Sequence, residues 1–463
     1  MAPITAIQNK IKSADLSITP GKGGLMSFPG ITAESSRKLS ELLQRNQDDY
    51  HGFFNDRGFH NHMSDDLLAT YDFGATPADL DTIYNRVKQV QRAPPELHSE
   101  VVVDLSDESQ WHKHLGDKDR WSDFLTFFQT EMEEIGMPAM LNKRLFAGTE
   151  ASDDLLARCF SGLYHPIIRI GYGLEFDIPG LVPVGLATAA CSDDWTAVFL
   201  KGALADAIDI DSKEFGKPYL DILNEVQNDP IFRNPGTDRQ LYNYFSTILH
   251  DAMDPILSYA KQYRVPVDQI DEKTAESLNI AALMLGGAMR KDKEVKVDFF
   301  LIHCVTTAIF ISVFNAQDWI TSESKARLLE WKTRFDILTY VAIGAPVLHT
   351  DEIKNYEPKV SQDGVGNPWL DIIERSIHVE DDGHTIKTIR ALAHGERLAA
   401  RYGEKLNLPV VGNMWRKIAA MSIDSAEGLG DCHGGPRAWV RGAGFDQAWE
   451  VFGPREPRSK LKD

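Results

Sequence analysis

Between Asp381 and Gly403 the chain reads DDGHTIKTIRALAHGERLAARYG, a stretch that puts two imidazoles and an amine on one side of a single helix. At helical spacing His384, Lys387, Ala391, His394 and Leu398 share a stripe, and Ile386, Ile389 and Ala393 run beside it. Polar groups that border an apolar surface are costly to bury unless something pairs with them. The stretch therefore reads either as a buried metal or acid/base site or as a half-exposed helix with solvated His and Lys. Asp381 or Asp382 is placed to cap its start and Gly403 to close it.

Other histidine-bearing segments bear on that choice. His303 sits in DFFLIHCVTTAIF, apolar nearly all round, with Phe299, Thr306 and Phe310 above and below it. It reads as a hydrogen-bonded core residue or a ligand. His165 precedes Pro166 at a helix break, as a cap or as an aimed side chain. The His60-Asn-His62 pair lies just before a helix and can chelate from extended backbone, but His112-Lys-His114 has the same spacing. Taken together, His60/His62, His165, His303 and His384/Lys387 come from four separate helical segments, which is how helix bundles assemble metal sites. Many imidazoles with few soft ligands suit iron, zinc or copper, and no motif chooses among them. A third possibility is a helical metal phosphohydrolase built on His250-Asp251, although with 14 histidines one such dipeptide is expected by chance.

The elements that would position these residues are helices. Trp121, Phe124, Leu125, Phe128, Met132 and Ile135 follow a 3.6-residue period, and a helix is expected from Ser152 to His165-Pro166, where the proline restarts or kinks it. Strand-like alternation is scarce, and Glu100–Leu105 is its clearest candidate. The expected class is all-α, a single large multi-helix domain with a histidine-lined buried site over 34–450. An extended arm over 1–33 and a polar tail over 451–463 flank it.

Composition narrows the function. The 463 residues are 43% apolar and 25% charged, with a net charge of −19 that repels nucleic acid and anionic membranes. No GxGxxG follows a strand, no GxSxG elbow is present, and the glycine cluster TPGKGGLMSFPG lacks the ending of a phosphate loop. Phe299–Phe314 is too short and too polar for a membrane span. The N-terminus lacks the basic start and apolar core of a secretory signal. Cys159, Cys191, Cys304 and Cys432 show no CxxC spacing, which suits reduced thiols of a cytoplasmic protein.

Five blocks carry a family resemblance: Phe59–Thr76 (FHNHMSDDLLATYDFGAT), Trp111 with His114-Leu-Gly116, Tyr164–Phe176 (YHPIIRIGYGLEF), Val297–Phe310 (VDFFLIHCVTTAIF) and Gly383–Leu392 (GHTIKTIRAL). In this order they resemble the questin oxidase-like family of fungal aromatic-polyketide pathways, over roughly residues 50 to 400. The resemblance implies an oxygenase that uses O2 to open a ring of an anthraquinone-type polyketide, by Baeyer–Villiger-type or dioxygenative cleavage. It also implies NADPH as a reductant and a non-haem iron held by histidines with a carboxylated lysine. Carried over by position, the metal residues are His62, His165, His303, His384 and Lys387, with His384 and Lys387 at the catalytic centre. Tyr172, Phe299 and Phe310 are the expected lining for a planar aromatic substrate. Three positions depart from the family pattern: Asp65 and Arg169 stand where further histidines are usual, and Val184 where a glutamate is common. Asp can still bind a hard metal and a guanidinium cannot, so either these positions stand behind the metal ligands in the family, or this chain has a modified or weakened site or is a helical homologue without catalysis.

Overall fold

Thr32 opens the helix Ala33–Asp49 with a reciprocal cap: its hydroxyl accepts from Ser35 N at 3.0 Å, and the Ser35 hydroxyl accepts from Thr32 N at 2.9 Å. Such punctuation recurs at Thr76 and Thr149, and helices are the regular structure of the computed structural model, which describes residues 15–203, 216–233, 244–359, 366–429 and 437–455. Among the described residues there is no strand; β-pairing is confined to isolated bridges such as Phe53 with His60. The strand expected at Glu100–Leu105 is instead part of the helix Ser99–Asp104. Its hydrophobicity is one-sided at helical spacing, with Val101, Val102 and Leu105 buried and Val103 58% exposed, so a helix buries what alternation would have split. No described helix is long and apolar enough to cross a membrane.

Contacts divide the chain into two compact units, Met1–Lys201 with Val313–Ser324, and Gly202–Ser312 with Lys325–Asp463. In the first, the described part of the N-terminal arm has no helix before Ala33, yet Leu16, Ile18, Met26 and Phe28 are buried. The Asp72 carboxylate fastens it, accepting from the backbone N–H groups of Gly24, Met26 and Ser27. Residues 1–14 of the arm and 456–463 of the tail lie outside the described residues, as does Cys432. Cys159, Cys191 and Cys304 are buried and form no disulfide among the described residues.

Helix Trp121–Ile135 buries Phe124, Leu125, Phe127 and Phe128 and packs on Leu181–Ala190, which packs in turn on His165–Phe176. That last pair is close: a Cβ on Gly185 would stand 2.5 Å from Ile170 Cγ1 and 2.9 Å from Pro166 O. The helix expected to run from Ser152 into His165 stops at Arg158. Gly162, Leu163 and Tyr164 then all take left-handed φ (57°, 60° and 68°), so the chain turns sharply and a new helix starts at His165, with Pro166 in its first turn.

In the second unit, helix His384–Leu406 packs against Ile270–Gly287 and Met414–Ala426. At Gly395 an added Cβ would meet the Trp415 ring at 2.2 Å. Asp381 does cap this helix: its carboxylate accepts from Gly383 N and Thr385 N, each at 2.8 Å. The far end differs from expectation, because the helix passes through Gly403 to Leu406 and closes on left-handed Asn407. Helix Phe299–Asn315, whose residues through Ser312 belong to this unit, is capped by the buried Asp298 carboxylate, which accepts from Phe300 N and from Gly442 N and Ala443 N.

Candidate metal centre

The first unit groups three buried imidazoles, His60, His62 and His165, apart from the buried His51. His62 and His165 lie with ring centroids 4.3 Å apart, and His60 and His165 at 4.9 Å. The loop that delivers His60 and His62 is fixed by Asn61, which is central in it. Its side chain donates to Asn46 Oδ1 and His51 O and accepts from Met63 N at the start of helix Met63–Asp72, while its backbone N donates to Gly52 O. Gly162 is needed twice here, for its left-handed turn and because a Cβ would meet His60 Nε2 at 2.0 Å.

The second unit holds the other pair. His303 donates from Nδ1 to Phe299 O at 2.8 Å, the carbonyl one turn back on its helix. His384 bonds through Nδ1 to the Asp382 carboxylate, and the Nε2 atoms of the two rings face each other at 3.1 Å. A carbonyl and a carboxylate only accept, so both Nδ1 atoms carry the proton and both neutral rings turn an Nε2 lone pair to the same point. Only a shared proton or a cation relieves that opposition. With metal–nitrogen bonds of about 2.1 Å, two ligand nitrogens stand about 3.0 Å apart at a right angle and about 3.4 Å at the tetrahedral angle. The observed spacing fits a pair of metal ligands, each held from behind as metal-bound histidines are.

Lys387 follows His384 by one turn on the same buried face and is 3% exposed. Its Nζ makes no hydrogen bond or ion pair among the described residues. Phe299 packs on both imidazoles, with centroids 5.0 Å from His303 and 5.1 Å from His384, and the Arg441 guanidinium lies 4.7 Å from the centroid of its ring. Of the remaining lining candidates, Phe310 and Tyr172 are buried, Tyr172 against Phe176. His394, on the same stripe, bonds Ser312 Oγ at 2.9 Å instead of joining the imidazole pair. His250 and Asp251 pair with each other at 2.6 Å with side chains 88% and 56% exposed, and His112 is exposed on the surface. The residue that sequence reasoning missed is Asp382, since an acid before a helix reads as a cap; its spacing two residues before a histidine is the signal that was there to find.

The family model described as questin oxidase-like matches residues 59–392. The chain belongs to the questin oxidase-like family. This questin oxidase-like chain is 34% identical to a Baeyer-Villiger oxidase of Pestalotiopsis microspora over 432 residues, covering 91% of this chain and 94% of that protein. It is also 34% identical to a questin oxidase of Aspergillus fumigatus over 418 residues (89% and 92%) and 32% identical to a Baeyer-Villiger monooxygenase of Aspergillus aculeatus over 447 residues (92% of each). These relatives support an oxidoreductase. Asp65 and Arg169 answer one another: Arg169 Nε donates to Asp65 Oδ1 at 2.6 Å in a buried ion pair. Val184 and Arg169 line one small void of about 10 Å³, together with Asn61 and His51.

Proposed function

We propose that this chain is an oxygenase of fungal secondary metabolism that uses O2 to cleave a ring of an anthraquinone-type aromatic polyketide at a non-haem iron. The observation that carries the metal part is the opposed Nε2 pair of His303 and His384, and the relatives' names as oxidases and monooxygenases support the reaction class. His62, His165, His303, His384 and Lys387 supply the ligands. Ferrous iron, when bound, supplies the one-electron chemistry that lets O2 react with a closed-shell aromatic ring.

The protein's own groups do the rest. Asp382 holds the His384 Nδ1 proton and the Phe299 carbonyl holds that of His303, so both Nε2 atoms stay available as donors. Phe299 excludes water from that pair and offers an aromatic face to a planar substrate, with Tyr172 and Phe310 as further lining. Lys387 is buried without an acceptor, a placement that favours its reaction with CO2: the amine nitrogen bonds the carbon, a proton leaves, and the carbamate becomes an anionic oxygen donor.

The test is to load the purified protein with ferrous salt without oxygen, add O2 and a panel of anthraquinones, and weigh the products with and without NADPH. Gain of one oxygen atom with NADPH consumed indicates monooxygenation, the second atom leaving as water. Gain of two with no reductant indicates dioxygenation. Protein that retains no iron and leaves every substrate unchanged would sink the reading.

A further inference from the structure

Asp65 and Arg169 stand one turn beyond His62 and His165, each on the same helix as its histidine or at that helix's edge. Asp65 follows His62 by three residues and Arg169 follows His165 by four, the spacings that share a helix face. Their side chains are 1% and 9% exposed. The guanidinium is used in two directions. Nε donates to Asp65 Oδ1 at 2.6 Å, and Nη2 donates to the Asn61 carbonyl oxygen at 2.7 Å, the peptide that leads into His62. One rigid fork on the His165 helix therefore holds both the first turn and the backbone of the segment that carries His62.

A buried ion pair is by itself weak evidence for stability, because well-packed apolar groups often replace one at little cost. What this pair adds is direction. A planar guanidinium donates along fixed vectors, so gripping two points on the neighbouring segment fixes both the distance and the tilt between the elements. The imidazoles one turn away keep ring centroids 4.3 Å apart at 34°.

We propose that the Asp65–Arg169 pair is a positioning device for His62 and His165, setting the separation and tilt at which the two rings meet a metal ion. The inference rests on the metal-centre reading above. It assigns a role to two residues that the metal-centre reading otherwise leaves without one. A lysine at position 169 would keep the charge but lose the second grip.

Cobaltous ion titrated into the metal-free protein tests this, with the affinity and visible absorption of the bound ion as one readout and the thermal unfolding midpoint of the metal-free protein as the other. Wild type should bind and His62→Ala should not; failure of wild type to bind overturns the metal reading and the positioning role with it. Once wild type is seen to bind, the outcomes concern the pair alone. Asp65→Asn and Arg169→Gln each strand one buried charge, so both lower the midpoint and weaken cobalt at least tenfold. The double variant Asp65→Asn/Arg169→Gln strands none: its midpoint should return close to that of wild type while cobalt stays at least tenfold weaker with an altered absorption spectrum. Arg169→Lys keeps the ion pair and should fold even if the others do not, again with weakened cobalt. Wild-type cobalt affinity in the double variant or in Arg169→Lys would show that the pair is structural only and overturn the proposal.

Discussion

The Nε2 atoms of His303 and His384 point at each other across 3.1 Å, and each ring is held by an acceptor at its opposite nitrogen. Removing either ring takes away one donor, and removing a supporting carboxylate loosens one. His303→Ala should therefore abolish iron retention. Asp382→Asn should weaken it about 10- to 100-fold, the cost typical of losing a group that orients a metal-bound histidine. Metal content after dialysis, read beside far-UV circular dichroism, checks both; wild-type iron content in His303→Ala would remove the pair from the ligand set.

Lys387 gives a sharper expectation. Its amine is buried on the His384 face without an acceptor among the described residues, so no described hydrogen bond is lost with it. Lys387→Ala should abolish oxygenase activity and weaken iron binding while the helical signal stays nearly unchanged. Wild type depleted of carbon dioxide should lose activity and regain it with bicarbonate. Full activity in Lys387→Ala would mean that the amine only fills space.

The parts that could be read from the sequence were those carried by residue type at short spacing. The stripe of His384 and Lys387, the all-round apolar segment about His303 and the break before His165-Pro166 each announce themselves within a few residues. The features that stayed hidden depend on distant partners or on unusual backbone. Asp65 and Arg169 pair across 104 positions, and nothing local marks a guanidinium as aimed at one particular carboxylate. Leu163 and Tyr164 take left-handed φ, which their side chains disfavour, so nothing local showed that the preceding helix would stop as early as Arg158. Glu100–Leu105 was misread because three consecutive valines fit a strand by propensity, and burial on one face decided otherwise.

At Gly185 the helix carrying His165 and its neighbour leave no room for a side chain. A methyl group there would overlap Ile170 Cγ1 at 2.5 Å and crowd the Pro166 carbonyl, which is backbone and cannot swing away. Gly185→Ala should destabilise the fold by about 1–3 kcal/mol, the usual cost of overpacking a core. It should also weaken metal binding by displacing the first turn after His165. Thermal unfolding with cobalt titration measures both, and an unchanged midpoint would show that the two helices can part without cost.

Acid should weaken the fold through two histidines that take no part in the imidazole pairs. Burial, with Arg92 adding to it, pushes the His51 imidazole down to about 4, and burial, with Arg390, Arg397 and Arg401 adding to it, does the same for His394. Both folded-state values lie below the unfolded value near 6.5, so their contribution is fully present above about pH 6.5 and is lost as pH falls toward 4. In that window the unfolded chain binds protons that the native one refuses, which makes stability rise with pH. At full effect each shift corresponds to about 3 kcal/mol. Asp298 works against them: burial raises its carboxyl to about 6, so the native state takes up a proton before the unfolded chain does and its own contribution grows as pH falls from 6 toward 4. Two histidines outweigh one aspartate. Urea midpoints should therefore fall between pH 7.5 and pH 5. His394→Gln, which keeps a polar group near Ser312 Oγ but cannot titrate, should flatten part of that slope; a slope identical to wild type would show that His394 is not among the groups that set it.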